Sequence, residues 1–400
     1  MRLLLRNLRW WTGAEEGAGD LRIAGTRVAE LGRGLAPRRG ERTLDLSGHL
    51  ALPGLVNGHD HLDLDLLPRL GRPPYRGFYD WAQDIYRPRE SPIRELLALE
   101  LRDRLVWGGL RNLIAGATTV VHHDRYLRRG FARPFPVRVL RRYGWSHSLG
   151  YSEDIVADHR RSRGRPWMVH AAEGLDERAA SEVDALDQRG LLDGRTVLVH
   201  AMALTAGQIG LLSARGCSVV WCPSSNLHLY GRTAPVDELA GRVRVALGTD
   251  STISGSPHLL AELEIARSTG LATPRALLAM VTTEAAEIFR LEDGRGRLAP
   301  GGPADLLVIA DGGGSAAEAL VRSTPRDVAL VTVLGRPRLA AARQSHDLAL
   351  GEPAIRVDGD PKWIDTPMAA LLQRLRAGLG EATLAASPLW KLFAPLERAA

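Results

Sequence analysis

From about Ala51 to Phe289 the sequence alternates short apolar runs with amphipathic stretches, and nothing else in the chain constrains the fold as strongly. Apolar runs fall at 52–56, 118–122, 167–170, 196–200, 217–222 and 243–247, and the stretches 95–115, 177–189 and 276–289 carry helical patterning. Such alternation implies a parallel sheet, because a crossover helix must return the chain before each new strand starts. The two ends differ. Residues 3–5, 21–23, 28–31 and 43–46, and later 305–309 and 328–334, are short apolar runs separated by turn signals such as Gly335-Arg336-Pro337. The expected fold class is therefore α/β, with a (β/α)8 TIM-like barrel over 51–295 inserted into a small β-sandwich domain built from 1–50 and 296–345. A helical tail, 346–400, follows, with an apolar stripe at Met368, Leu371, Leu372, Leu375 and Leu379. Between 123 and 166 only 145–151 reads as a strand, too little for two complete βα units, so the barrel is expected to be distorted or short of a helix there.

Composition narrows the partners. A chain of 400 residues, 45% hydrophobic, buries more core than one small domain uses. No run of 18 apolar residues occurs, and the N-terminal MRLLLRNLRWW is too short in apolar length for a secretory leader. A cytoplasmic protein with no membrane partner is the expectation. The net charge of +6 comes from arginines scattered among acidic residues, the only lysines being Lys362 and Lys391, which is the pattern of a solvated surface and not of a nucleic-acid groove. A small-molecule substrate is the expected partner, with a homo-oligomer left open. Cys217 and Cys222, in one extended run, would lie about 16 Å apart on opposite faces, so they form no disulfide.

Chemistry enters at the ends of the apolar runs. In Pro53-Gly54-Leu55-Val56-Asn57-Gly58-His59-Asp60-His61, an extended backbone projects both imidazoles to one side and Asp60 to the other. Two neutral imidazoles on one face supply half the ligands a divalent ion such as zinc requires. A His-x-His pair alone is weak, but three further runs end in residues of the same kind: His170 followed by Glu173, His200, and Asp250. In a parallel barrel every strand opens its C-terminal end on one face, so these groups converge on one cavity.

Taken together, His59-x-His61, His170, His200 and Asp250, with PGLVNGHDH at 53–61, HAAE at 170–173, CPSSN at 222–226 and LGTDS at 247–251, resemble the amidohydrolase superfamily over about residues 1–340. The run from Gly296 to Val308 is similar to that family's return from the barrel to the small sheet. Binuclear members bridge two metals through a middle-strand lysine or sometimes a glutamate; both lysines here follow Asp250, so the resemblance is to the mononuclear cytosine, guanine and S-adenosylhomocysteine-type deaminases and triazine hydrolases. It implies one divalent metal ion, Zn2+ or alternatively Fe2+, held by His59, His61, His170 and Asp250. Glu173 would shuttle protons, Asp250 would accept the proton of the attacking water, and His200 would orient that water or polarise the substrate, with a fifth-ligand or outer-contact role as alternatives. Weaker substrate-contact candidates are Asn226, His228, Trp81 and His122, with His123 the alternative at the second strand's end. The implied activity is hydrolytic deamination of an amino-substituted N-heterocycle. Hydrolysis of a cyclic amide or halogenated heterocycle at the same residues is the alternative, and a non-catalytic binding protein on the same fold is the alternative class.

Overall fold

A computed structural model describes residues 1–395. The chain opens with strands β1 (Arg2–Trp11), β2 (Glu16–Ala24), β3 (Arg27–Gly32), β4 (Arg42–Asp45) and β5 (His49–Pro53). β1, β2 and β3 form an antiparallel meander, while β4 and β5 run parallel to β1. Leu3, Leu5, Leu8, Leu21 and Ile23 supply one side of the core of this sheet.

β6 (Leu55–Asp60) follows β5 with only Gly54 between them. The expected strand at 52–56 is thus two strands in two sheets, and Gly54 is the reason. Its N–H donates to Asp305 O at 2.8 Å, and a Cβ there would sit 2.2 Å from Thr118 Oγ1. Leu52 pairs with Leu307, whereas Leu55 pairs with Ala117.

β7 (Ala117–His122), β8 (Arg138–Val139), β9 (Gly144–Ser148), β10 (Trp167–Ala171), β11 (Thr196–His200), β12 (Ser218–Trp221) and β13 (Arg244–Leu247) follow. β6-β7-β8 form one parallel sheet and β9-β10-β11-β12-β13 another, in sequence order. The two meet where β13 leads past β6: the N–H groups of Thr249 and Asp250 both donate to His59 O, at 3.0 and 3.1 Å. Val56, Val121, Met168, Val199, Val220 and Ala246, one from each of six strands, pack into a shared interior cluster. Helices such as Leu101–Ile114, Glu177–Gln188, Ala206–Arg215 and Leu259–Ser268 connect the strands. The helix expected over 95–115 is two, breaking between Ala98 and Leu101. Only residues 140–143 separate β8 from β9, so the sector short of a helix is the one the sequence predicts. The two-residue β8 escapes a pattern search because its neighbours are prolines and arginines.

β14 (Leu306–Ala310), β15 (Val328–Val333) and β16 (Arg336–Ala341) return to the first sheet, with β14 antiparallel to β5. β17 (Ile355–Val357), β18 (Asp360–Ile364) and β19 (Phe393–Pro395) complete a sheet of eleven strands. The tail expected to be helical is therefore mixed. Its strands hide from composition because β18 carries Lys362, buried with Nζ donating to the carbonyls of Arg326 and Val328 at 2.9 and 2.7 Å. The helical stripe is real: Met368, Leu371, Leu372, Leu375 and Leu379 are the buried face of the helix Met368–Ala386. Arg374 on that helix clasps Asp103 through two bonds of 2.6 and 2.8 Å. No helix among the described residues is long and apolar enough to cross a membrane, and both cysteines are free and buried.

Candidate metal centre and active site

His59, His170, His200 and Asp250 sit at or just beyond the C-terminal ends of β6, β10, β11 and β13. At these tips the backbone enters the left-handed region: φ is +53° at Ala172, +73° at His200, +47° at Ala201 and +53° at Asp250. For residues with a Cβ such geometry costs on the order of 1–3 kcal/mol each and persists only where the surroundings enforce it. Here they do, since Asp250 N is bonded to His59 O, and Ala201 N and Met202 N to the carbonyls of Ala171 and Ala172. The turned backbone aims each side chain inward.

His59 Nε2 lies 3.4 Å from His170 Nε2 and 3.6 Å from Asp250 Oδ1, and His61 Nε2 lies 3.8 Å from the same oxygen. Donors around a tetrahedral ion with bonds near 2.1 Å would be about 3.4 Å apart; two groups among the described residues have donor atoms within 4.8 Å of one another, His59 with His61 and Asp250, and His59 with His170 and His200. His59 is 0% and His170 4% exposed, while the His61 side chain is the most open at 17%. Burial pushes His61 and His170 well below the usual imidazole pKa and lowers His59 against the pull of Asp250, leaving neutral lone pairs. For Asp250, burial opposes ionisation, but the surrounding imidazoles of His59, His61 and His200 outweigh it, and its pKa falls well below the carboxylate range. Neutral imidazoles beside a carboxylate are what a divalent cation binds.

Hydrogen bonds fix which nitrogen of each ring faces the cluster. His170 Nδ1–H donates to His147 O at 2.7 Å and His200 Nδ1–H to Asn226 Oδ1 at 2.9 Å, so both present a bare Nε2. His123 Nε2–H donates to Ser146 O at 2.8 Å; its Nδ1 therefore accepts from His59 Nδ1–H, 3.1 Å away, and His59 Nε2 is bare in turn. Asp250 Oδ2 accepts from Ser225 Oγ (2.9 Å) and Ser254 Oγ (2.6 Å), leaving Oδ1 toward His59 and His61. Asp60 points away from the cluster, as the alternation predicts, onto Arg111. That buried guanidinium also bonds Asp65 and the carbonyls of Asp250, Ser256 and Pro257, tying β6 to the loop after β13.

Glu173 follows His170 by three residues. Its Oε2 is 3.6 Å from His200 Nε2 and its Oε1 accepts from Tyr230 O–H at 2.9 Å. Burial raises the Glu173 pKa, partly offset by His200, so this carboxyl is biased toward its protonated form. Tyr230, pushed well above its ordinary pKa by burial and by Glu173, stays a donor. Tyr230 and Asn226 stand one turn apart on the helix Pro223–Tyr230, which also carries Ser225, so one short helix braces Asp250, His200 and Glu173 together.

The weaker candidates fare unevenly. Asn226 is fully buried and holds His200. His228, on the same helix, is partly exposed and its buried Nε2 has no partner among the described residues. Trp81 is 9% exposed with Nε1 3.4 Å from Leu70 O. His122 is turned away from the cluster, edge-on to Phe131 and accepting from Leu62 N. It pairs in register with Asp60, and its neighbour His123 takes the inward place, stacked 4.1 Å from His170. The sequence alone could not choose between the two, because the β6–β7 register shifts just before that pair. His123, His147, Tyr230 and Ser254 had no motif of their own. A histidine beside each strand tip was the available signal.

Residues 155–361 match the amidohydrolase family. A 5-methylthioadenosine/S-adenosylhomocysteine deaminase of Halobacterium salinarum is 30% identical, the alignment covering 68% of this chain and 75% of that protein. An 8-oxoguanine deaminase of Pseudomonas aeruginosa is 27% identical over 90% of this chain and 94% of its own. Among solved structures, an adenosine deaminase from Xanthomonas campestris with bound zinc superposes with a TM-score of 0.73 at 20% identity, covering 94% of this chain and 97% of that one.

Proposed function

The chain belongs to the amidohydrolase family, and from that membership we propose a metal-dependent hydrolase that deaminates an amino-substituted nitrogen heterocycle. The observation that carries the chemistry is geometric: Asp250 Oδ1 faces His59 and His61, while Glu173, three residues past His170, has Oε2 3.6 Å from His200 Nε2 and Oε1 held by Tyr230. The deaminase names of relatives that align along most of the chain support the same choice.

His59, His61, His170 and Asp250 would hold one divalent ion, zinc before iron. Such an ion supplies a water that is deprotonated near neutral pH. Asp250, its Oδ2 kept in place by Ser225 and Ser254, would take the proton of the attacking water. Glu173 would deliver its proton to the ring nitrogen next to the attacked carbon; as the C–N bond breaks, the proton taken up by Asp250 would pass to the departing amine, which leaves as ammonia, and the adduct's hydroxyl proton would return to Glu173. His200, locked by Asn226, turns a lone pair toward the attacking oxygen's position beside Glu173. Tyr230 keeps Glu173 pointed inward. Positioned acid–base help of this kind is worth about 10² to 10⁴ in rate.

We take β6 to β13 as one (β/α)8 barrel shortened between β8 and β9, with the eleven-stranded sheet as a small β-sandwich domain that the tail joins. The shared interior cluster and the bonds from Thr249 and Asp250 to His59 O support closure of the barrel. Two free cysteines fit a reducing cytoplasm. The decisive experiment measures ammonia release from a panel of amino-purines, amino-pyrimidines and amino-triazines, before and after chelation and zinc repletion. Release that vanishes with the metal and returns with it is the expected result; a metal-independent reaction, or none with any C–N substrate, defeats the proposal.

A further inference from the structure

Two glutamates occupy buried helix positions that an apolar residue would fill without the cost of desolvating a carboxyl. Glu182, 5% exposed, lies on the buried face of the helix Glu177–Gln188 with Ala179, Val183 and Leu186. Glu262, 0% exposed, lies on that of Leu259–Ser268 with Leu259, Leu260, Leu263 and Ala266. A glutamate is almost never buried so fully unless it is paired. Neither forms an ion pair among the described residues, and burial raises the pKa of each to about 7.

Each instead holds one main-chain amide beside the groups proposed for chemistry. Ala172 N–H donates to Glu182 Oε2 at 2.8 Å. Ala172 is the left-handed residue, φ +53°, between His170 and Glu173. Its carbonyl accepts from Met202 N and Ala203 N at 2.8 and 3.1 Å, and Glu173 O accepts from Phe78 N at 3.2 Å. Main chain thus fixes both carbonyls of this turn, whereas its Ala172 amide is fixed by a side chain, Glu182.

Glu262 works from the opposite side. Ser224 N–H donates to Glu262 Oε1 at 2.8 Å. The helix Pro223–Tyr230 has no side-chain cap of its own, and its first residue is a proline without an N–H. Glu262 therefore caps it from another helix. The capped helix carries Ser225, Asn226 and Tyr230, which bond Asp250, His200 and Glu173.

We propose that Glu182 and Glu262 are positioning residues: Glu182 sets the turn that presents Glu173, and Glu262 seats the helix that braces Asp250, His200 and Glu173. The inference rests on the deaminase proposal for the reaction measured, but not for the amides held. A displacement of about 1 Å in a reacting group costs about 10²-fold in rate, so loss of one buried acceptor reaches turnover without touching substrate.

The test uses the full-length zinc-loaded protein, with amide hydrogen exchange and ammonia release read in parallel. Methionine fills the volume of each glutamate without an acceptor, and glutamine keeps an amide oxygen. Ala172 in Glu182→Met, and Ser224 in Glu262→Met, should exchange about tenfold faster than in the wild type, and at the wild-type rate in Glu182→Gln and Glu262→Gln. With a heterocycle that the wild type turns over, kcat should fall about tenfold or more in each Met variant, with KM within about twofold, and recover in each Gln variant. Added to Glu173→Gln, Glu182→Met should cost nothing more, because it acts through Glu173; Glu262→Met should still cost rate, because it also acts on Asp250 and His200. Wild-type exchange and turnover in the Met variants, or a loss of kcat that Gln does not restore, would overturn the proposal. So would a Met variant that fails to fold, which makes the carboxyl structural. A wild type that releases no ammonia removes the deaminase reading alone, and the exchange rates still decide whether the two amides are held.

Discussion

The stretch from β10 to β13 and the stretch from β7 to β9 serve the same cavity by different means. In the first, strand and helix alternate regularly, the parallel ladders run in sequence order, and the tips deliver His170, His200 and Asp250. In the second, one strand has two residues, no helix separates β8 from β9, and the products are His123, His147 and Tyr151. None of these three is a proposed ligand, yet each touches one or touches a residue that does. The regular part carries the strand-tip groups, and the irregular sector supplies the partners that orient them. Loss of repeat geometry is tolerable where a group must lean on a ligand, and not where it must be one.

Substitutions should divide along that line. The largest effect is expected from Asp250→Asn in the regular part, which removes the anionic donor: zinc content by elemental analysis should fall to background and activity with it. Glu173→Gln should retain zinc and lose about 10² to 10⁴ of the rate; a Gln variant with full turnover would remove Glu173 from the mechanism. In the irregular sector, His123→Ala deprives His59 of the acceptor that sets its tautomer. Chelator competition should then show zinc affinity about 10- to 100-fold weaker, with a folded protein that regains activity in excess zinc. An effect as large as that of Asp250→Asn would erase the distinction between the two sectors.

The smallest effect sharpens the regular side. Glu182, on the helix after β10, accepts from Ala172 N, and burial raises its pKa to about 7 from 4.5. The folded state thus holds this proton more tightly than the unfolded chain. Its contribution to stability is complete below the unfolded value and is lost as pH rises through about 7. Glu182→Gln should flatten that loss, on the order of 1–3 kcal/mol between pH 5 and pH 8 by urea unfolding. An unchanged pH slope would show that Glu182 ionises freely.

Legibility from sequence followed the same division. His59, His61, His170, Glu173, His200 and Asp250 were readable because each ends or follows an apolar run whose period fixes the side it faces. His122 and His123 were not separable, since the choice depends on a register set by a partner strand distant in the chain, where Asp60 pairs with His122. Tyr230 lies on a helix with little amphipathic contrast, nearly all of which is buried, so no periodicity marks its inward face. The tail's strands were hidden by their shortness and by a lysine buried against carbonyl oxygens.

The carbonyl of His59, which receives the amide protons of both Thr249 and Asp250, sets the gap between two proposed ligands through main chain alone. That clasp is made of main-chain atoms and uses none of the proposed metal-binding side-chain atoms. The demetallated protein should therefore keep a receptive pocket rather than collapse, and accept cobalt in exchange for zinc. Cobalt's visible absorption would then give this colourless enzyme a reporter that changes hue as substrate arrives.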